Sequence, residues 1–143
     1  MQIFTYHRRL TKLEFESLEL RRMRADLLDR HISIVSVSCF YWIRQLRRSR
    51  RLLDAESAAG AATLVHAFVA SRIDYCNAVL ACAPKATTDK LQRVLNAAAR
   101  VVTGTKKFQR GLSRLLHTEL HWLDVPERVM YKLSVMMYSC LHG

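Results

Sequence analysis

The sequence predicts an all-α protein, a bundle of about five or six helices with no sheet of consequence. Only 4 glycines and 2 prolines occur in 143 residues, so turns are scarce and folds with many strands are disfavoured. Half of the residues are hydrophobic, which at this length is enough to bury a core. Lys and Arg outnumber Asp and Glu by 23 to 12, for a net charge of +11. Such an excess is typical of proteins with polyanionic partners.

The first two predicted helices follow from apolar residues at helical spacing. A charged helix is predicted over Ser17–Arg30, with Ser17 as its cap. The alternation of Ile, Val and Ser over Ile32–Val37 is also compatible with a strand. The residues that follow favour a helix, however, and we predict one from about Ser33 to Arg51. Its apolar positions are Val35, Cys39, Trp42, Ile43 and Leu46.

A third helix is predicted from the Asp54–Ser57 region to about Ala81, because this segment is apolar on almost every side. Its more polar stripe is His66, Ala70, Asp74 and Asn77. A fourth helix is predicted to be capped by Thr87 or Thr88 and to end at Gly104. Its apolar face is Leu91, Val94, Leu95, Ala98, Val101 and Val102. We expect Leu64–Leu80 and Leu91–Val102 to form the packed centre.

Two more helices complete the prediction. A short one covers Leu112–Leu120, and a last one starts at Asp124–Pro126, with proline in the first turn where its missing N–H costs nothing. The predicted buried side of the last helix is Val129, Leu133, Met136, Met137, Cys140 and Leu141.

The cysteines and the N-terminal residues bear on the cellular compartment. Cys39, Cys76, Cys82 and Cys140 form no C-x-x-C pair and are interpreted as small buried hydrophobic residues. The first residues lack the pattern of a secretory signal, and the uncharged run Ile32–Ile43 is too short to span a bilayer. We expect a cytoplasmic or nuclear protein that is not secreted and has no membrane partner.

The basic charge is concentrated towards the N-terminus, where residues 1–53 carry 12 basic and 5 acidic side chains. Four arginines at positions i, i+3, i+4 and i+7 fall within an arc of about 100° on the second predicted helix: Arg44, Arg47, Arg48 and Arg51. Guanidinium groups bind phosphate oxygens in pairs, so this stripe predicts non-specific binding to an RNA or DNA backbone. Two alternatives stay open: a solvated helix face, and pairing with Glu14, Glu16 or Glu19.

No pattern predicts catalysis or a bound metal or cofactor. His117 and His121 have the i, i+4 spacing of zinc ligands, but Glu119 is misplaced for a metalloprotease and no third ligand is evident. No nucleophile elbow or Cys-His signature is present.

Five blocks of sequence, in the same order, carry a resemblance to a known family. They are His31–Ser33, Ser38–Arg51, Leu64–Asn77, Leu91–Thr105 and Leu120–Arg128. Together they resemble the region that follows the catalytic palm in the reverse transcriptases of non-LTR retrotransposons, of the jockey-like branch. The resemblance covers residues 31–143. Its motif residues are Ser71, Arg72, Asp74, Tyr75, Cys76, Asn77 and Trp122.

The resemblance implies a parent that copies RNA into DNA, with this region supporting template and primer. The family's polymerase holds two metal ions on adjacent aspartates of the palm. In this chain no two aspartates are adjacent: they are Asp26, Asp29, Asp54, Asp74, Asp89 and Asp124. We therefore expect this chain by itself to lack polymerase activity.

Residues 1–30 are interpreted as a separate basic helical segment. They resemble a part of the same protein class that normally follows residues 31–143, and Leu13–Met23 aligns without gaps to Leu120–Met130. Two interpretations stay open, namely remnants of two related elements joined together, or coincidence between two amphipathic helices.

Three functional hypotheses follow. The first is a reverse transcriptase remnant that retains at most non-specific binding of nucleic-acid backbone. The second is a helical protein-interaction module, and the third is a pseudogene product without function. The sequence does not define an oligomeric state.

Overall fold

The computed structural model describes residues 17–50, 58–75, 77–106 and 108–142. The chain divides into two compact units, unit 1 (Met1–His31) and unit 2 (Ile32–Gly143). All regular structure within the described residues is helical, and it forms five continuous segments of α- and π-helix and one 3-10 turn, with no strand. The predicted all-α class is therefore confirmed. None of the helices in these ranges combines the length and apolarity needed to cross a membrane.

The helices in chain order are α1 (Leu18–Arg50), α2 (Ala58–Val65), α3 (Ser71–Asp74), α4 (Lys85–Thr103), α5 (Leu112–Arg114) and α6 (Val125–His142). A π-helical turn, His66–Ala70, joins α2 to α3 without a break, and a second one, Leu115–Glu119, extends α5. A 3-10 turn, Asn77–Leu80, lies between α3 and α4.

Helix α1 is a single helix, although the sequence predicted two with a break after Arg30. No glycine or proline interrupts its 33 residues, so nothing in the chain forces the backbone out of helical geometry. Its beginning agrees with the prediction, since the Leu20 backbone N–H donates to Ser17 Oγ at 3.3 Å. The segment Ile32–Val37 is helical, and the strand alternative is wrong.

The core of unit 2 is centred on α4. The predicted apolar face of this helix is buried in full, and Ala99 is buried with it. Residues from the other helices complete the core: Ile32, Cys39, Ile43, Leu46, Val65, Val69, Ala70, Ile73, Leu116, Val125 and Val129. Burial of this apolar surface is the main favourable contribution to folding.

The third predicted helix differs from the structure in two ways. It ends at Asp74 rather than Ala81, because Tyr75 adopts an extended conformation with ψ of 120°. It is also buried on one side only, since Leu64 and His66 are exposed while Val65 and Val69 are buried. Of its predicted polar stripe, Ala70 and Asn77 are buried.

Helix α4 starts earlier than predicted and ends where predicted. Pro84 occupies the N-cap position, and the backbone N–H of Thr87 donates to the Pro84 carbonyl at 2.9 Å. Thr87 is thus buried within the first turn instead of capping it. Gly104 adopts the left-handed conformation, with φ of 74°, that commonly ends helices.

Helix α6 begins at the predicted position and is anchored to α4. The Asp124 backbone N–H donates to Glu127 Oε2 at 2.9 Å, which is half of a capping box. Gln92 of α4 accepts from the Val125 N–H at 2.9 Å and donates to Asp124 Oδ1 at 2.7 Å. These bonds fix the start of α6 against the core helix.

The C-terminal half of α6 is exposed, contrary to the prediction. Val129 is buried and Leu133 half-buried, but the other residues of the predicted buried side are exposed: Met136, Met137, Cys140 and Leu141. No described element covers this part of the helix. Helical spacing locates the apolar side of a helix, but it does not show whether a neighbouring element covers that side.

The prediction that the cysteines are buried holds for Cys39 and is wrong for Cys82 and Cys140. Cys82 lies in the turn before α4 with φ of 65°, and Cys140 lies on the exposed end of α6. Cys76 falls outside the described residues.

Candidate nucleic-acid interface

An open cleft of about 850 Å³ in unit 2 lies between the C-terminal part of α1 and helix α4. Ile43 and Val101, both buried, lie at its apolar base. Six basic side chains contribute to its lining: Arg44, Arg47, Arg50, Arg93, Arg100 and Lys106. None of the described residues that line it is acidic. The cleft is therefore a concentrated site of positive charge, which favours anions.

The wall from α1 contains half of the predicted arginine stripe. Arg44 and Arg47 line the cleft together with Phe40, which lies one helical turn before Arg44. Arg48 is exposed and is not among the lining residues. Arg51 lies outside the described residues, as do Glu14 and Glu16, two of the three proposed acidic partners.

The residues that line the cleft from α4 were not predicted from the sequence. Arg93, Ala97 and Arg100 line the cleft at positions i, i+4 and i+7, so they form one stripe along the helix. This stripe lies opposite the face that buries Leu95 and Val102. A search for basic residues on the polar side of every predicted amphipathic helix would have found Arg93 and Arg100.

Arg50 has a structural role at the end of the cleft. Its Nη1 donates to the backbone carbonyl of Val101, one of the carbonyl groups that a helix leaves unpaired at its C-terminus. A Cβ atom placed on Gly104 would lie 3.1 Å from both Nη1 and Nη2 of Arg50. A positive charge at a helix C-terminus is also favoured by the helix dipole. Arg50 thus joins α1 to the end of α4.

The electrostatics of the cleft favour an added anion. Arg100 Nε is buried and has no hydrogen-bond partner among the described residues. A buried donor without an acceptor costs about 1–3 kcal/mol, and the neighbouring guanidinium groups repel one another. Phosphate oxygens in the cleft would accept from these donors and reduce the repulsion.

The motif residues of α3 and the following turn do not line the basic cleft. Two of them make contacts that hold helices together. Asp74 accepts from Arg128 Nη1 at 3.0 Å through Oδ1 and at 2.8 Å through Oδ2. Arg72 lies 5.8 Å from the centre of the Trp42 ring, and this ring stacks on Phe68 at 4.6 Å. These contacts join α1, α3 and α6.

The remaining motif residues do not form a site with them. Ser71 Oγ donates to the Ala67 carbonyl within its own helix. Tyr75 is 71% exposed, whereas Asn77 is buried and its Oδ1 has no partner among the described residues. Trp122 is half-buried, and its backbone N–H donates to Leu116 at 2.9 Å. Cys76 lies outside the described residues.

The two histidines with zinc-like spacing do not share a helix face. His117 lies in the π-helical turn after α5, and its Nε2 is 3.5 Å from Asp124 Oδ2. His121 follows the end of that turn with φ of 51°. Across the described ranges, no group of three or more His, Cys, Asp or Glu side chains is placed to hold a metal ion.

One thiol has a perturbed titration. Burial raises the pKa of Cys39, and the positive charge of Arg72 partly opposes this rise. Since the thiolate is the nucleophilic form, Cys39 is not suited to nucleophilic chemistry.

Comparisons with protein-family models, with curated proteins and with solved structures found no match to this chain.

Proposed function

We propose that this protein binds the sugar–phosphate backbone of RNA or DNA without sequence preference, through the basic cleft of unit 2. The observation that carries the proposal is the convergence of arginines from two helices on one cleft whose described lining contains no acidic residue. Such contacts provide affinity but do not read the base sequence. In this proposal the chain is a reverse transcriptase remnant without polymerase activity, as the resemblance and the absence of paired aspartates suggest.

The test compares two triple variants with the same net charge. The cleft variant carries Arg44→Gln, Arg47→Gln and Arg93→Gln, while the control carries Arg48→Gln, Arg110→Gln and Arg114→Gln. All six arginines are exposed, so both variants are expected to fold. Binding to a labelled RNA of mixed sequence is measured over a range of salt concentrations by fluorescence anisotropy.

We expect the cleft variant to lose affinity and the control to keep most of it. Each phosphate contact contributes about 0.7 to the slope of log affinity against log salt for a single strand, so losing three lowers the slope by about 2. Equal losses in both variants would mean that net charge alone causes binding, and the cleft proposal would be wrong.

The alternative is a helical protein-interaction module. The observation that favours it is the exposed apolar surface on the C-terminal half of α6, which includes Met137 and Leu141 at 66% and 76% exposure. This alternative predicts no binding to RNA or DNA even at low salt, together with salt-insensitive binding to a protein. A product without function is the third candidate, and a cooperative melt of soluble protein would count against it.

A further inference from the structure

Phe40 is the feature of the basic cleft that the backbone-binding proposal does not use. Its side chain lines the cleft and is 41% exposed. It lies on the same stripe of α1 as Arg44 and Arg47, which follow it at i+4 and i+7. Among the described residues, no ring or cation packs against the face of Phe40. An aromatic ring that is open to the solvent beside several arginines can accept a stacked base.

The other aromatic residues nearby are already engaged. Trp42 stacks on Phe68 with an interplanar angle of 16°, and Tyr41 meets the edge of Trp42 at 5.5 Å. Trp42 also lies close to Arg72. Phe40 is therefore the ring of this part of α1 that remains available to a ligand in the cleft.

The volume of the cleft suits a short piece of single-stranded nucleic acid. Its volume of about 850 Å³ falls within the range of about 300–1,000 Å³ that encloses a drug-sized molecule. This is room for a short piece of one strand between the two helices. In a duplex, by contrast, the faces of the bases are covered by their neighbours, so no base is free to stack on Phe40.

We propose that the cleft binds single-stranded nucleic acid in preference to a duplex, with the Phe40 ring stacked on one base while Arg44, Arg47, Arg93 and Arg100 contact the phosphates on either side. This inference rests on the proposed function, and it adds the strandedness of the ligand and a residue that contacts a base.

The test uses the full chain and two substitutions of one residue. Phe40→Leu keeps an apolar side chain and removes the ring, while Phe40→Trp keeps a ring. Tyr131→Ala, which removes a 64% exposed ring on α6, is the matched control. The probes are a single-stranded DNA oligonucleotide, its duplex, and an abasic DNA strand of the same length. Thermal unfolding by circular dichroism verifies that each variant folds.

We expect the unmodified protein to bind the single strand at least about 10-fold more tightly than the duplex at equal salt. Phe40→Leu should weaken single-strand binding about 5- to 150-fold, which is the range for loss of one stacked base. Phe40→Trp and Tyr131→Ala should retain affinity. Binding of the abasic strand should not respond to Phe40→Leu, because that strand has no base to stack.

Two results would overturn the inference while leaving the proposed function intact. One is duplex binding as tight as single-strand binding, with the cleft arginines still required. The other is an equal effect of Phe40→Leu on the normal and the abasic strand. Failure of the proposed function is different, since the triple cleft variant would then bind no worse than its control.

Discussion

Arg47 and Arg50 lie three residues apart on α1 and differ in what their guanidinium groups reach. Arg50 donates to the Val101 carbonyl and lies against Gly104, so its charge is used in holding two helices together. Arg47 is exposed in the cleft. The charge pattern does not distinguish them, because the difference depends on where the end of α4 lies in space.

Cys39 provides a prediction at the scale of one residue. Burial raises its thiol pKa, so near neutral pH the thiol stays protonated, and reactivity would increase only as the pH rises towards the raised pKa. Cys82 and Cys140 are exposed. We expect Cys39 in the folded protein to react with iodoacetamide at least about 10-fold more slowly than Cys140, as measured by mass spectrometry of peptides.

Unfolding in guanidinium chloride should make the rates at which Cys39 and Cys140 react with iodoacetamide similar. Equal rates in the folded protein would contradict the burial of Cys39.

The ion pair between Asp74 and Arg128 provides a second prediction. The Arg128 side chain is 14% exposed and the Asp74 side chain 38% exposed, so solvent screens the pair in part. We expect Asp74→Asn to lower the free energy of unfolding by about 1–2 kcal/mol, because it leaves a mostly buried guanidinium without its charged partner. Denaturant unfolding measures this change.

Glu119→Gln is the control, since Glu119 is an exposed carboxylate and its replacement should change stability by less than about 0.5 kcal/mol. Equal effects of the two substitutions would show that the ion pair contributes nothing specific.

At the scale of elements, the structure departs from the predictions mainly where a segment ends or meets a neighbour. Ser17, Gly104 and Asp124 mark helix ends that local chemistry determines, and the sequence located all three. Thr87 resembles a cap but is buried, because Pro84 starts α4 one turn earlier. The continuity of α1 through His31 was missed because no residue there requires either a break or a continuation.

Replacing each of two glycines with alanine is predicted to change the stability in opposite directions. Gly104 has φ of 74°, and an added Cβ would crowd Arg50, so we expect Gly104→Ala to destabilise the protein by about 1–2 kcal/mol. Gly60 lies within α2, and nothing lies within 4 Å of an added Cβ there. Gly60→Ala should therefore stabilise the protein by about 0.5–1 kcal/mol.

Thermal unfolding of the two variants side by side provides the measurement. Destabilisation by both would mean that α2 is not a regular helix at Gly60, and stabilisation by both would contradict the role of Gly104 in ending α4.

At the scale of the whole molecule, the sequence predicted the helical class and the core of α4 but located only part of the cleft. Periodicity reports which side of a helix is apolar, and α4 shows this for all six predicted core positions. It does not report which polar faces lie opposite each other. The packing of α4 against α1 places Arg93 and Arg100 beside Arg44 and Arg47, and periodicity does not specify that packing.

The exposed apolar surface of α6 leads to a prediction about the whole molecule in solution. Met130, Met137 and Leu141 recur at i, i+7 and i+11 and are 64%, 66% and 76% exposed, so they lie along one face of the helix. We expect concentration-dependent self-association in sedimentation velocity, because exposed apolar surfaces of this kind associate. Replacing all three residues with Gln should reduce it.

The matched control replaces three exposed apolar residues outside α6 with Gln: Leu64, Val79 and Leu123. Association that responds equally to both triple variants would show that general hydrophobicity, and not this face of α6, is responsible.

The bond between Arg50 and Val101 connects residues 51 positions apart, and the two walls of the cleft are equally distant along the chain. Contacts of such long sequence separation require a large loop to close, which costs conformational entropy. The two walls come together only in the folded state, so a strand that touches both would bind the folded state more tightly than the unfolded chain. By mass action, such a ligand would stabilise the fold by at most about 2.7 kcal/mol at a concentration of 100 times its Kd. A ligand of the cleft would thus link its own occupancy to completion of the fold.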